Sequence, residues 1–291
     1  MNSSWIKTLA RCQECQNHGP FCLRGQTQRA LWNAGKHCVF DIRCFLKQHH
    51  NLKCLEVVTI FWYMTLVLRK DNTKGKGLGL LSKEGFAGSS AQCILELLAS
   101  REAGKLCGRW AILALQAIIP SETGIQWCPG DADYFITGEN FFSRVDILIM
   151  LLREVVEAHG KTLTVEKAQP HLYACPNRTI WTVNVRIQGL DTKLSFVESP
   201  ECKNMKEVLE NFDVSVAKVM YDCKGTGMLL TRSDVLSQIK GGVANVKDFE
   251  VGLLYPTLFQ CRRITSTLNR MNKYGERGYM FLNYPKLNKK P

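Results

Sequence analysis

The sequence predicts an α+β fold, a mixed sheet with flanking helices. Three observations predict it. Segments rich in β-branched residues recur at 131–137, 162–165, 180–187 and 193–198. A segment with helical spacing, 141–159, follows the first of them directly. Strands and helices then alternate to the end of the chain, which favours a sheet covered by helices. An apolar share of 45% is ordinary for a globular protein able to bury a sizeable core.

Residues 1–68 form a basic segment rich in Cys and His. Cys12-x-x-Cys15 has the spacing of a zinc hook, and His18, Cys22, His37, Cys38, Cys44, His49, His50 and Cys54 follow it. Tetrahedral Zn²⁺ needs four such ligands, and a local Cys-x-x-Cys pair lowers the entropy of gathering them. The alternative is a set of free thiols. The apolar run 57–68 is too short to span a bilayer, so a buried helix or strand is expected and no membrane partner. The amino terminus carries Lys7 and Arg11 without an apolar core. This predicts an intracellular protein, cytoplasmic or nuclear, whose 13 cysteines are thiols or metal ligands.

Residues 69–90 are rich in Gly and Lys and predict a linker, which makes 91–291 the main domain. Within it, 90–103 has helical spacing through Ile94, Leu97 and Leu98. In 141–159, Val145, Leu148, Ile149, Leu152, Val155 and Val156 share one broad face, and Gly160 is the natural stop. A short helix is expected over 204–209, and a final one over 256–271. The segment 211–222 alternates apolar and polar residues and predicts a strand with Asp213 at its start and Asp222 in the turn beyond.

The chemistry-bearing motif is Gly130-Asp-Ala-Asp-Tyr-Phe-Ile-Thr-Gly138. In a strand, Asp131 and Asp133 project from one side. Two like charges held that close repel unless a cation lies between them, and hard oxygen ligands suit Mg²⁺. Asp213, on a neighbouring strand, is the candidate third acid of a phosphoryl-transfer site.

These blocks resemble the nucleotidyltransferase-like domain of fungal, protist and large-DNA-virus proteins. The resemblance rests on the motif above, Phe-Asp-Val-Ser-Val-Ala-Lys-Val-Met-Tyr-Asp at 212–222, Gly-Gly-Val-Ala-Asn at 241–245 and Lys-Tyr-Gly-Glu-Arg-Gly-Tyr at 273–279. It spans about residues 91–285 and implies a mixed sheet with helices on one face. It also implies Mg²⁺ on Asp131, Asp133 and Asp213, with a nucleoside triphosphate as partner. Such domains place a Gly-Gly or Gly-Ser turn before the first acidic strand, where backbone N–H groups hold phosphate. The candidate is Gly108, with Arg109 as a further phosphate contact. The Cys12–Cys15 and 35–38 segments are similar to the DM-type zinc module of animal transcription factors.

Formal net charge is +12, unevenly placed. Residues 1–80 carry 12 Lys and Arg against 4 acids, residues 81–261 carry 18 against 21, and residues 262–291 carry 8 against 1. Basic ends flank an acidic middle, so nucleic acid is a candidate partner, gripped by Arg262, Arg263, Arg270, Lys273 and Arg277. The alternative is a solubilising surface. Two functions stay open: metal-dependent transfer of a nucleotide to an acceptor such as RNA, or a non-catalytic nucleic-acid-binding or interaction protein on the same fold.

Overall fold

The computed structural model describes residues 5–8, 55–71, 79–99, 127, 129–171, 179–223, 228–247, 249–251, 258–284 and 287–289. The Cys and His residues proposed for zinc (Cys12, Cys15, His18, Cys22, Cys38 and Cys44 among them) lie outside these, as do Gly108 and Arg109.

The core is one mixed sheet. Its strands are β1 (Trp5–Thr8), β2 (Glu84–Ala87), β3 (Asp131–Thr137), β4 (Leu163–Val165), β5 (Gln169–His171), β6 (Ile180–Ile187), β7 (Lys193–Ser199), β8 (Val219–Asp222) and β9 (Met228–Arg232). Their order is β1-β9-β8-β2-β3-β7-β6-β4, with β5 beside β6. Only β3 and β7 run parallel within it; the other pairs are antiparallel.

Helices cover both faces, where the resemblance implied one. On the first face lie α1 (Leu55–Lys70) and α3 (Phe141–Glu157). The ring of Phe61 stacks on Phe86 at 4.1 Å and on Tyr221 at 4.8 Å. Tyr134 meets Phe86 and Phe196 edge to face. The α3 residues Phe141, Val145, Leu148, Leu152, Val155 and Val156 are buried, close to the apolar face read from the sequence. Side chains alternate along a strand, so Ala87, Met220 and Leu230 point the other way. There they pack with Met205, Val208 and Leu209 of α4 (Met205–Asn211).

Three expectations change. The stretch 69–90, read as a linker, contains β2 in the middle of the sheet, buried along its whole length. The segment 1–68 supplies α1 to the common core and β1 to the sheet edge, so the boundary expected between 68 and 91 falls inside one packed unit. The alternation over 211–222 yields only the short strand β8, because Ser215–Ala217 winds into a 3-10 turn.

Helix α2 (Ser89–Ala99) leaves β2 through Gly88. It packs against β8, β2 and α5 (Ser233–Gly241). The long helix α6 (Leu258–Glu276) runs further than the 256–271 expected and ends beside β12 (Met280–Phe281), which pairs in parallel with β10 (Val243–Ala244). A second small parallel pair joins β11 (Phe249–Val251) to β13 (Leu287–Lys289). Among the described residues, no helix is long and apolar enough to cross a membrane.

Candidate active site

Strand β3 carries two chemistries on one backbone. Ala132, Tyr134 and Ile136 enter the core. Asp131, Asp133 and Phe135 project from the opposite face and are partly exposed. Phe135 is anchored there by the ring of Phe212 at 5.5 Å. The acidic pair therefore occupies the open half of a face whose other half is closed by α4.

The adjoining strands define what surrounds the pair. In the parallel register of β7, Lys193 lies beside Asp131 and Ser195 beside Asp133. The Ser195 hydroxyl donates to Asn184 Oδ1 on β6 at 2.9 Å. On the other side, β2 pairs Phe86 with Tyr134. Beyond Phe86 the chain runs through Ala87, the last residue of β2, into the turn at Gly88.

Gly88 makes a turn at the start of a helix; Gly108, the candidate from the sequence resemblance, lies outside the described residues. Gly88 has φ +81°, which an L side chain rarely adopts. Its N–H donates to Val219 O at 3.1 Å, and its carbonyl accepts the first helical bond from Gln92 N at 2.9 Å. Gly88-Ser89-Ser90 thus turns from a strand edge straight into a helix start. The unpaired N–H groups of such a start favour anions. Ser90 Oγ is buried there without a hydrogen-bond partner. The Gly-Ser pair at 88–89 falls in the stretch whose composition reads as a linker, because β2 is only four residues long and half of them are Gly or Ala.

The electrostatics single out Asp133. Burial and then the charge of Asp131 push its pKa up to about 7, against the lowering effect of Lys273 and Lys193. Lys273 is itself displaced downward, by burial and by Arg277 and Arg270, with the two acids opposing that shift. Lys273, which the sequence offers as part of a nucleic-acid grip, is an exposed residue of α6 whose charge acts on the acidic pair.

Asp213 is engaged elsewhere. Its carboxylate accepts the Val214 N–H at 3.0 Å, and also bonds to the Thr267 hydroxyl and the Arg270 guanidinium of α6. The residue sits in a bend between α4 and the 3-10 turn, not on a strand. Among the described residues, no group of three or more His, Cys, Asp or Glu is gathered as a metal site. Two of the expected three acids share a face, and the third is held by α6. Asp222, expected in a turn, is the buried last residue of β8.

The polar residues of α6 engage this region in sequence order, Arg270 and Lys273 from exposed positions. Thr267 and Arg270 hold Asp213, and Lys273 feels Asp131 and Asp133. Arg277, just past the helix end, lies 3.6 Å over the Trp127 ring. Their spacing of three to four residues puts them on one stripe of the helix. Arg262 and Arg263 lie in the first turns of α6.

No protein-family model matches the chain, and no curated protein matches its sequence. Among solved structures it is similar to the Thermotoga maritima CCA-adding enzyme complexed with tRNA and to a CCA-adding enzyme in apo form. Both matches have a TM-score of 0.43 at 10% identity and cover 84% of this chain and 43% of the other. The chain thus spans less than half the length of the enzymes it matches.

Proposed function

We propose that the chain is a nucleotidyltransferase-like protein in which Gly88-Ser89-Ser90 and the pair Asp131 and Asp133 receive a nucleoside triphosphate and transfer its nucleotide to an acceptor hydroxyl. The observation that carries this reading is the juxtaposition of a helix-starting Gly-Ser turn with two same-face carboxylates on the adjoining strand. A phosphate at the turn would meet the backbone N–H groups of α2 and the Ser90 hydroxyl. The nucleotidyl phosphorus would then lie toward the two acids.

The acidic pair fits a divalent cation. The donors are hard oxygens, and the raised pKa of Asp133 records repulsion and desolvation that a cation would relieve. Asp131 and Asp133 would hold Mg²⁺, which when bound neutralises the triphosphate and polarises the attacked phosphorus. With both carboxylates engaged by the cation, the proton of the acceptor hydroxyl would leave to solvent across the open face. Lys273 and Lys193 would offset charge developing on the departing pyrophosphate.

A second reading is a binding protein that retains the fold, and one observation favours it. Lys193 and Ser195 lie beside the pair where a third acid would complete a two-metal site, and Asp213 is tied to Arg270.

The test is incorporation of labelled nucleotide by the purified chain with Mg²⁺ or Mn²⁺. Wild type is expected to transfer, Asp131→Asn to lose at least 100-fold, and Gly88→Ala to lose nucleotide affinity. A Cβ at Gly88 would meet only the Phe212 ring at 3.7 Å, so its effect comes from the strained backbone at the phosphate turn. Salt-steep binding of nucleic acid with no transfer under any metal would favour the second reading.

A further inference from the structure

Arg277 is 9% exposed, and its guanidinium stands 3.6 Å from the Trp127 ring centroid and 4.8 Å from that of Tyr274. Its Nη1 is buried and makes no hydrogen bond. Among the described residues no carboxylate pairs with it. A guanidinium taken out of water is costly unless an anion compensates, and aromatic faces recover only part of that cost. A buried planar fork with a spare donor is an incomplete anion site.

Its position is fixed from two directions. One helical turn earlier, Lys273 feels the charges of both Arg277 and the acidic pair. Two residues later, the Tyr279 hydroxyl accepts from Gln92 Nε2 in the first turn of α2 at 3.1 Å, and the Tyr279 ring meets Tyr274 edge-on at 5.9 Å. The segment holding Arg277 is therefore bonded to the helix that begins at the Gly-Ser turn and lies within electrostatic reach of the residues beside Asp131 and Asp133.

We propose that Arg277, laid flat on Trp127, is the receptor for a phosphate oxyanion of the substrate, supplying the fork that orients a phosphate chain running from the α2 start toward the acidic pair. This rests on the nucleotidyl-transfer reading and names the residue that would bind the anionic end of its substrate. The oxyanion has two possible sources, the triphosphate tail of the nucleotide or the backbone of an acceptor strand.

The experiment is calorimetric titration of the full chain, without metal, by inorganic tripolyphosphate and separately by a single-stranded oligonucleotide. Arg277→Gln is expected to weaken tripolyphosphate binding at least tenfold. Arg277→Lys, which keeps the charge and loses the fork, is expected to weaken it less, and gives the same comparison if the Gln variant melts too low to use. Asp131→Asn is expected to bind tripolyphosphate at least as tightly as wild type. That result would stand even if no nucleotide transfer were found, which separates the two proposals. A loss of oligonucleotide binding with tripolyphosphate unchanged would assign the oxyanion to the acceptor strand. Equal binding of both probes by folded wild type and Arg277 variants would overturn the proposal.

Discussion

Two pairs of carboxylates flank the same strand, and they are treated in opposite ways. Glu84 and Asp71 are almost fully buried and converge on one cation: Arg144 donates to Glu84 through Nε at 2.8 Å and Nη2 at 2.6 Å, and to Asp71 through Nη2 at 2.6 Å. Burial opposes the charge on Arg144, but these bonds outweigh it and hold its pKa above the ordinary value. Among the described residues Asp131 and Asp133 have no such fork, only the more distant charges of Lys273 and Lys193, and Asp133 is pushed toward neutrality. The first pair is saturated and ties the loop after α1 to β2 and α3. The second is left in want of a cation on an open face. Satisfaction of the acceptor oxygens, not acidity, separates the structural pair from the candidate site.

The sharpest way to break this comparison is to remove the shared cation of the first pair. Arg144→Met takes the shared cation from two buried carboxylates and is expected to cost about 3–5 kcal/mol, read as a lowered urea midpoint. The double variant with Glu84→Gln should recover part of the loss. A midpoint shift below about 1 kcal/mol would show that water reaches the network and that the contrast between the pairs is not one of satisfaction.

The second pair should reveal itself in the pH dependence of stability. Asp133 has its folded pKa raised from the ordinary carboxylate value to about 7, so between about pH 4 and 7 the folded chain holds a proton that the unfolded chain releases. Stability from this group is complete below pH 4 and declines as pH rises through 7, by on the order of 4 kcal/mol at about 1.4 kcal/mol for each of the roughly three pH units crossed. Asp131→Asn removes one cause of the shift and should shallow the decline. Saturating Mg²⁺ should reverse it, because the cation binds the ionised pair and stabilises the folded state most above pH 7. Melting temperatures from pH 4 to 9, with and without Mg²⁺, measure both effects. A profile that is identical in wild type and Asp131→Asn would mean that the two acids do not interact.

Much of this was legible in the sequence for a simple reason. β3, β6 and β7 and helix α3 are long enough for their periods of 2 and 3.6 to show, and Asp131 and Asp133 share a face because alternation leaves no other choice. What was not legible depends on tertiary contact. The Gly88 turn hid in a Gly-rich stretch, since a four-residue strand with Gly85 and Ala87 has no pattern of its own and is made a strand by its neighbours β3 and β8. The alternation after Asn211 was real in composition but is broken by the 3-10 turn, which bonds to the 245–247 loop through Ser215 N to Asn245 O at 2.9 Å and Lys247 N to Asp213 O at 2.8 Å. The ion pair of Arg270 with Asp213 and the burial of Arg277 follow from where α6 docks, which no local pattern encodes.

That docking gives the smallest expected effect and the one that decides the role of Asp213. Its partner Arg270 is half exposed, while Asp213 is nearly buried and keeps the Thr267 hydroxyl and the Val214 N–H when the guanidinium is removed. Solvent screening of an exposed partner limits the pair, so Arg270→Ala is expected to cost about 1 kcal/mol, less in high salt. Asp213→Asn should cost a similar amount, because the amide still accepts from Thr267 but loses the ion pair. If Asp213 is a tether for α6, neither variant changes the Mg²⁺ concentration that half-saturates the melting shift, whereas Asp131→Asn raises it strongly. If Asp213→Asn raises it as far as Asp131→Asn does, Arg270 must release Asp213 to the acidic pair when the metal enters. The site would then be a triad assembled by a movement of α6, and the two carboxylate pairs would differ in timing as well as in satisfaction.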